Sequence, residues 1–376
     1  NTFIGYKAGK GDNSGVHTAY SNVAVGKESL NAITSGQDNV ALGDQAGKAL
    51  TTGSYNVAVG KDAMFTQTTG NYNTAVGWSA LYSNVDGDQN VAVGYKALYT
   101  LEPSDGGGSN VAVGTFAMQN ATTGHTNVAV GSSAFIAATT GERNVVIGHE
   151  AARAANTMNY STVIGNNAAN SASGAANIVV IGRNAGYNVS GNSNTFVGSN
   201  ASLGGASLGH AGTETVAVGY NAMYYNSDAN YNVAVGSQAF QGDSGGFTGD
   251  NSVAVGRQAG YSTSSGHSNT LVGAEAGYTN TTGNDNTLIG YKAGKTINGG
   301  TGRNVMIGSQ AGQSATTTDA STIIGWQAAG GAALTGDYNT AVGYQAGYAL
   351  VGAVEGNVLL GHRAGYGATS GGYNTF

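Results

Sequence analysis

Residues 290–296 read Gly-Tyr-Lys-Ala-Gly-Lys-Thr and contain the residue types that bind nucleotide phosphates. A phosphate-binding loop has four residues between its two glycines, so that backbone N–H groups surround the phosphate, whereas this segment has three. The series Tyr-Lys-Ala-Gly-Lys also occurs at residues 6–10. We therefore predict that the segment belongs to a structural repeat and binds no nucleotide.

The acidic and histidine residues show no spacing typical of a metal site or a catalytic site. His149-Glu150 lacks the second histidine of a zinc-protease helix, and no ligand spacing connects the other histidines, at positions 17, 125, 210, 267 and 362. Asp86, Asp88 and Asp243 lie beside glycines but do not recur once per repeat, so we interpret them as turn residues.

A glycosidase would need two carboxylates about 5 to 9.5 Å apart. No equivalent pair is evident among the glutamates, which are Glu28, Glu102, Glu142, Glu150, Glu214, Glu275 and Glu355. We expect no enzyme activity, no cofactor and no metal.

Tyrosine is the residue type that most favours a binding function. Many of the 21 tyrosines directly follow a recurring glycine, others precede a recurring asparagine, and others follow an Ala-Gly pair. Regular rows of rings could stack against the sugar rings of a surface polysaccharide, or could stack on one another and shield the coil edges. The candidate glycan-stacking residues are Trp78, Tyr95, Tyr220, Tyr291, Trp326 and Tyr344.

These residues lie within one pattern, Asn-(Val/Thr)-apolar-(Val/Ile/Leu)-Gly, of which 21 copies occur along the 376 residues. Asparagine stands at 16 of the 21 first positions and is replaced by Ser161, Ile178, Thr215, Ser252 and Ser321. Twelve of the twenty intervals between successive glycines are 17 residues long. A repeat of this length is too short for a pair of helices and suits one coil of a β-solenoid. We predict an all-β parallel solenoid of about 21 coils over residues 1–376, a single array roughly 100 Å long at about 4.8 Å per coil.

Each position of the pattern has a predicted structural role. The asparagines are expected to form a hydrogen-bonded ladder between coils, the glycine to adopt positive φ or a close backbone approach, and the alanine three residues later to fill a tight corner. Representative positions are Asn22, Val25 and Gly26; Asn56, Val59, Gly60 and Ala63; and Asn90, Val93, Gly94 and Ala97.

The three residues between asparagine and glycine form the predicted strand, and both of its faces are apolar. Apolar residues on both faces indicate a strand that is buried on both sides. One face can fill the coil, and the second is expected to contact another copy of the chain, with Ala58 and Ala75 at the contact. The alternative is that the second face covers another wall of the same coil.

Composition excludes several classes of protein. Only 9% of residues are charged and the net charge is −6, which argues against nucleic-acid binding. Proline occurs once, at Pro103, as expected for paired strands, and cysteine is absent. No apolar run is long enough to span a membrane. Residues 10–20, 101–109, 201–214 and 241–250 lengthen the repeat, and such insertions form loops that often carry recognition.

The chain begins within a repeat, and residues 374–376 have the same sequence as residues 1–3. We expect this to be a segment of a longer array.

Residues 68–84, Thr-Thr-Gly-Asn-Tyr-Asn-Thr-Ala-Val-Gly-Trp-Ser-Ala-Leu-Tyr-Ser-Asn, resemble repeats of phage tail-fibre and bacterial surface-fibre proteins. Many of those proteins end in an endosialidase-type chaperone domain, and no such domain is recognisable in this sequence. The Asn-Val-Ala-Val-Gly-x-x-Ala core is also similar to the head repeats of trimeric autotransporter adhesins, although the adhesin coils are shorter. The resemblance implies a left-handed β-roll, a homotrimer and an extracellular, cell-surface or virion location.

The leading hypothesis is a rigid, non-catalytic shaft of an attachment fibre, with glycan contacts along it. The alternative is an extracellular filament that polymerises from this repeat. Ice binding by threonine rows is disfavoured, because valine outnumbers threonine in the strands.

Overall fold

The computed structural model describes residues 1–11, 18–101, 108–204, 211–298 and 302–376. These residues form a parallel β-solenoid of about 21 coils with a repeat of about 17 residues, and they contain no helix. The predicted fold class is therefore confirmed.

The chain divides into two compact units, Asn1–Tyr187 and Asn188–Phe376. The first unit contains β1 (Thr2–Ile4), β2 (Val23–Val25), β3 (Val40–Leu42), β4 (Val57–Val59), β5 (Thr74–Val76), β6 (Val91–Val93), β7 (Val111–Val113), β8 (Val128–Val130), β9 (Val145–Ile147), β10 (Thr162–Ile164) and β11 (Val179–Ile181). The second contains β12 (Thr195–Val197), β13 (Val216–Val218), β14 (Val233–Val235), β15 (Val253–Val255), β16 (Thr270–Val272), β17 (Thr287–Ile289), β18 (Val305–Ile307), β19 (Thr322–Ile324), β20 (Thr340–Val342) and β21 (Val358–Leu360).

Equivalent residues of neighbouring coils pair in parallel, without any shift of register. In β4 and β5, for example, Val57 lies beside Thr74 and Val59 lies beside Val76. Each strand has only three residues, so its stability comes from the strands on either side and not from its own length.

The glycine after a strand is required where the next coil approaches it closely. Gly60 has a φ of +128°, and a Cβ added to it would lie 2.6 Å from the carbonyl oxygen of Gly77. Gly26 and Gly94 both have a φ of +135°. Both alternatives predicted for this glycine, a positive φ and a close backbone approach, are therefore present at the same residue.

The interior of each coil is filled by the middle residue of the strand and by the alanine after the glycine. Ala24, Ala63 and Ala97 are fully buried, which confirms the tight corner predicted for the last two. Ala58 and Ala75 are also buried inside their own coils, so their predicted place at an interface between chains is wrong. The side chains of a strand alternate, and the first and third residues are the ones that face outwards.

The predicted asparagine ladder is present. The side-chain amide of Asn56 donates hydrogen bonds to Oδ1 of Asn39, at 3.1 Å, and to the carbonyl oxygen of Gly70, at 2.8 Å. Oδ1 of Asn56 in turn accepts the backbone N–H of Asn73 at 2.9 Å. Where serine replaces asparagine, its hydroxyl takes over the acceptor function, as Ser252 Oγ does for the backbone N–H of Asn269 at 3.0 Å.

Three positions in a coil adopt the left-handed backbone conformation, and residues other than glycine usually occupy them. In one coil these are Asp62 (φ 56°), Met64 (φ 52°) and Tyr72 (φ 57°). Their N–H groups point towards adjacent coils, where they donate to the carbonyl oxygens of Asp44, Ala80 and Ser54, respectively. These hydrogen bonds offset the cost of an unusual backbone conformation.

The residue in the middle of the strand and the residue six positions later have complementary sizes, so that one is small where the other is large. Ala92 is followed by Leu98, Val146 by Ala152, and Leu288 by Gly294. Where both positions are small, as at Ala254 and Gly260, a neighbour supplies the volume: a Cβ on Gly260 would lie 2.6 Å from the Phe240 ring. The core is therefore packed by compensation within and between coils.

The insertions have different outcomes. In three of the insertions, residues 12–17, 102–107 and 205–210, which include Pro103, lie outside the described residues. Within residues 241–250, Phe247 is fully buried and stacks on Phe240 with ring centroids 5.0 Å apart. This insertion therefore supplies part of the core of its coil.

Candidate interaction surface

The outward residues of the strands form a continuous apolar surface in each unit, which we call the apolar stripe. Val25 is 37% exposed and Ile147 is 38% exposed, whereas Ala24 between the outward residues of β2 is fully buried. In the first unit the stripe comprises Thr2, Ile4, Val23, Val25, Val40, Leu42, Val57, Val59, Thr74, Val76, Val91, Val93, Val111, Val113, Val128, Val130, Val145, Ile147, Thr162, Ile164, Val179 and Ile181.

In the second unit the apolar stripe comprises Thr195, Val197, Val216, Val218, Val233, Val235, Val253, Val255, Thr270, Val272, Thr287, Ile289, Val305, Ile307, Thr322, Ile324, Thr340, Val342, Val358 and Leu360. Every member in either unit is Val, Thr, Ile or Leu, and none is charged. Charged side chains normally protect exposed β-structure from association, and large exposed apolar patches mark interaction sites.

Aromatic side chains lie beside the apolar stripe, directly after the strand glycine. Trp78 and Tyr220 are each 55% exposed, and Tyr291 is 45% exposed. Tyr95 is half-buried, and its ring meets the Trp78 ring edge to face at 5.5 Å. The structure therefore places these predicted residues at the surface in the row expected from the sequence.

The orientation of the rings divides the six candidate residues into three kinds, of which Trp78 and Tyr95, which meet edge to face, are the first. The rings of Trp326, Tyr344 and His362 stack face to face, with centroids 4.9 and 5.1 Å apart. The Tyr344 ring therefore has a neighbour on each face, and stacking against a sugar needs a free face. Tyr220 and Tyr291 stack on no other ring among the described residues, so their geometry suits a sugar better. The Lys292 ammonium lies 4.8 Å from the centroid of the Tyr291 ring, so the opposite face of that ring is the one for a sugar.

Further aromatic rows follow the same principle of stacking between coils. Tyr55 and Tyr72, which precede asparagines, stack at 4.9 Å. On the wall after the glycine, Tyr82 stacks between Phe65 and Tyr99, at 5.0 Å from each. Burial raises the pKa of the Tyr82 hydroxyl. The alternative interpretation, in which rings stack on one another and shield the coil edges, thus accounts for many of the tyrosines.

Charged side chains on that wall form ion pairs between coils. Glu275 lies 2.8 Å from Lys295 Nζ and 3.0 Å from an Arg257 guanidinium nitrogen. The hydrogen bond from Lys295 and the positive charges of Lys295, Lys292 and Arg257 lower the pKa of the Glu275 carboxyl. The pKa of Lys292 is raised by its hydrogen bond with Tyr291.

The segment that resembles a phosphate-binding loop has its backbone groups occupied. The N–H groups of Lys292, Gly294 and Thr296 donate to the carbonyl oxygens of Ala274, Ala311 and Gln313 in adjacent coils. These N–H groups are therefore not free to surround a phosphate. The repeat accounts for the segment, as predicted.

Two of the acidic residues interpreted as turn residues accept backbone hydrogen bonds, Asp88 from the neighbouring coil and Asp243 within its own turn. Asp88 Oδ1 accepts the backbone N–H of Asn71 at 2.6 Å, and Asp243 Oδ1 accepts that of Gly245 at 2.8 Å. Within the described part of the chain, no three His, Asp or Glu side chains are grouped so that they could hold a metal ion. The same residues form no helix that is long and apolar enough to cross a membrane.

No family model matches this chain, and no curated protein matches it. The resemblance to fibre repeats therefore rests on the repeat sequence alone.

Proposed function

We propose that this chain is the structural shaft of an extracellular or virion attachment fibre, built from parallel copies of a left-handed coil and assembled as a homotrimer. The observation that carries the proposal is the apolar stripe, which is uncharged along every strand of both units. Such a surface is suited to contact with other chains and poorly suited to permanent exposure.

The internal structure supports a mechanical function. Unshifted strand pairing, the asparagine ladder and compensated core packing repeat from coil to coil and connect each coil only to its neighbours. Within each unit, this continuous pairing between described coils would resist bending. Its function would be to hold a receptor-binding region away from a virion or a cell.

The exposed aromatic rings are the proposed points of contact with a surface polysaccharide. Tyr220 and Tyr291 are the best candidates, because no other described ring stacks on them. Such contacts would be weak individually and would add along the fibre.

The experiment that tests the proposal is sedimentation of the full chain combined with cryo-electron microscopy. Discrete rods containing three chains would support the shaft. Monodisperse single chains would overturn it, and open-ended filaments would favour a polymer made from the repeat itself.

A further inference from the structure

The charged residues are separated into two groups on opposite sides of the apolar stripe. Residues just before each strand lie on one side of it, and residues after the strand glycine lie on the other, because each strand runs across the stripe. We call the first group the acidic edge and the second group the cationic edge.

The acidic edge consists of the two positions before each recurring asparagine or its replacement. These positions hold nine acidic residues and only two cationic ones, Arg143 and Arg303. The acidic residues are Asp38, Asp88, Glu142, Glu214, Asp250, Asp285, Asp319, Asp337 and Glu355. Asp38, Glu214 and Asp285 are exposed.

The cationic edge consists of the first, second and fifth residues after the strand glycine. These positions hold twelve of the fourteen lysines and arginines and only five acidic residues. The cationic residues are Lys7, Lys10, Lys27, Lys48, Lys61, Lys96, Arg153, Arg183, Arg257, Lys292, Lys295 and Arg363. The acidic ones are Glu28, Asp44, Asp62, Glu150 and Glu275.

We propose that copies of this chain pack stripe against stripe in the same orientation, with the cationic edge of one copy along the acidic edge of the next. This inference rests on the proposed multi-chain fibre and adds the contact surface and the direction of the chains. When two such faces meet with their axes in the same direction, left and right exchange, so opposite charges meet at both edges. With the axes in opposite directions, acidic edges would meet each other, and like charges at an interface suppress that arrangement.

The shape of the stripe also fits a second copy. With about 4.8 Å between strands and two rows of side chains, the stripe of the first unit measures roughly 50 by 10 Å. Two facing stripes of this size bury about 1,000 Å², which reaches the lower limit for a specific interface before the second unit is counted. A second copy also has the same axial spacing, so its rows of side chains stay in step along the contact.

The absence of cysteine allows a direct test of direction by spin labelling. Thr52→Cys, Thr69→Cys and Thr140→Cys place labels at exposed, equivalent positions of three coils in the first unit. The second and third labels lie one coil and five coils from the first, about 5 and 24 Å along the axis. In the same orientation, each label lies at the same height as its own equivalent on the neighbouring copy, so the three distances are equal. In opposite orientations, the signed axial separation between equivalents changes by twice the distance that the label moves, about 48 Å between residues 52 and 140, so the three distances cannot all be equal.

Pulsed electron–electron double resonance on each labelled full chain is therefore expected to give three equal distances. Unequal distances would overturn the proposed orientation, whereas the number of chains in the fibre is tested separately by sedimentation. A monomer with no distance between copies would overturn both the orientation and the fibre proposal.

Charge reversal tests the edges separately from direction. In the first unit, Lys27→Glu, Lys61→Glu and Arg183→Glu together change the net charge of the cationic edge from +4 to −2, so that both edges are acidic there. We expect at least a tenfold weaker association and a restoring effect of high salt. Adding Asp38→Lys and Glu142→Lys changes the acidic edge of the same unit from −2 to +2, which exchanges the two edges and should restore association at low salt. Circular dichroism checks that each variant folds, and equal association of all three chains would overturn the role of the edges.

Discussion

The Leu288 side chain occupies the space that a side chain on Gly294 would need. A Cβ at residue 294 would lie 2.9 Å from both Cδ atoms of Leu288. The φ of Gly294 is +53°, a value that Met64 adopts in the equivalent position of another coil, so the backbone alone does not require glycine there. Glycine is needed because the preceding strand carries a large residue.

We predict that Gly294→Ala and Leu288→Val are coupled. Gly294→Ala overpacks the core and should lower the free energy of unfolding by about 1–3 kcal/mol. The double variant reproduces the pairing of Val146 with Ala152, so its loss should be smaller than the sum of the single losses by about 0.5 kcal/mol or more. Chemical denaturation of all four chains measures the coupling.

Combining Leu288→Val with Gly47→Ala provides the control, because those residues belong to different units. That pair should be additive within about 0.5 kcal/mol. If the changes in the free energy of unfolding were additive in both pairs, the sizes of residues 288 and 294 would affect stability independently, against the prediction.

The asparagine ladder predicts a ranking of substitutions at residue 56. Asn56→Ala removes the acceptor for the Asn73 N–H and should cost about 1–3 kcal/mol, the penalty for a buried donor left without a partner. Asn56→Ser should cost less, because Ser161 Oγ accepts the N–H of Ile178 in the same arrangement. Thermal unfolding of the two variants checks the order, and a serine variant as unstable as the alanine variant would argue against a function as acceptor.

Stability should fall in acid partly through Glu275. The folded protein lowers the pKa of this carboxyl below its ordinary value of 4.5, so the charged form is favoured by folding. The contribution to stability is therefore present above that value and is lost as pH falls through the lowered pKa. Glu275→Gln should be less stable than the parent chain near neutral pH, and the difference should shrink below about pH 4.

Urea denaturation across that pH range measures the Glu275 effect, and salt supplies the control. The partners Arg257 and Lys295 are partly exposed, so molar salt should screen the pairs and reduce the difference at neutral pH. A difference that is unchanged by both pH and salt would exclude an electrostatic origin.

Polysaccharide binding, if it uses sugar–aromatic stacking, should depend on rings with a free face. Tyr220→Ala and Tyr291→Ala should weaken retention on an immobilised acidic or neutral surface polysaccharide more than Tyr344→Ala, whose ring lies between Trp326 and His362. Affinity electrophoresis of the three variants compares them directly. An equal or greater effect of Tyr344→Ala would indicate contact through ring edges or hydroxyl groups.

The coil and several of its positions could be predicted from sequence because the same backbone geometry recurs in every copy. Gly60 is needed by the approach of Gly77, and Asn56 by the backbone N–H of Asn73, so each recurs as an identical or related residue. The outward face of the strand could not be predicted in this way. Ala58 and Val59 are both apolar, and composition does not distinguish a small interior residue from a half-exposed one.

Other features were present in the sequence but required comparison between positions. The complementary sizes of Leu288 and Gly294 become visible only when residues six apart are compared across all coils. The left-handed conformation of Asp62 and Met64 carries no sequence signal, because it is imposed by hydrogen bonds to adjacent coils. Ring orientation at Trp326 and Tyr344 likewise depends on the neighbour in the next coil.

The complementary sizes of Leu288 and Gly294 also limit how gene duplication can lengthen the array of coils. A Cβ on Gly277 would lie 3.1 Å from Leu288 Cδ1, so a large strand residue needs glycine or another small residue in the preceding coil as well. Copying one coil into an arbitrary place would set two large side chains against each other or leave a void. Duplication of a block such as residues 269–320, in which Leu271, Leu288 and Met306 are each followed by glycine six residues later, keeps both neighbours compatible. Recombination in units of several coils therefore changes the length of the array without disturbing its core.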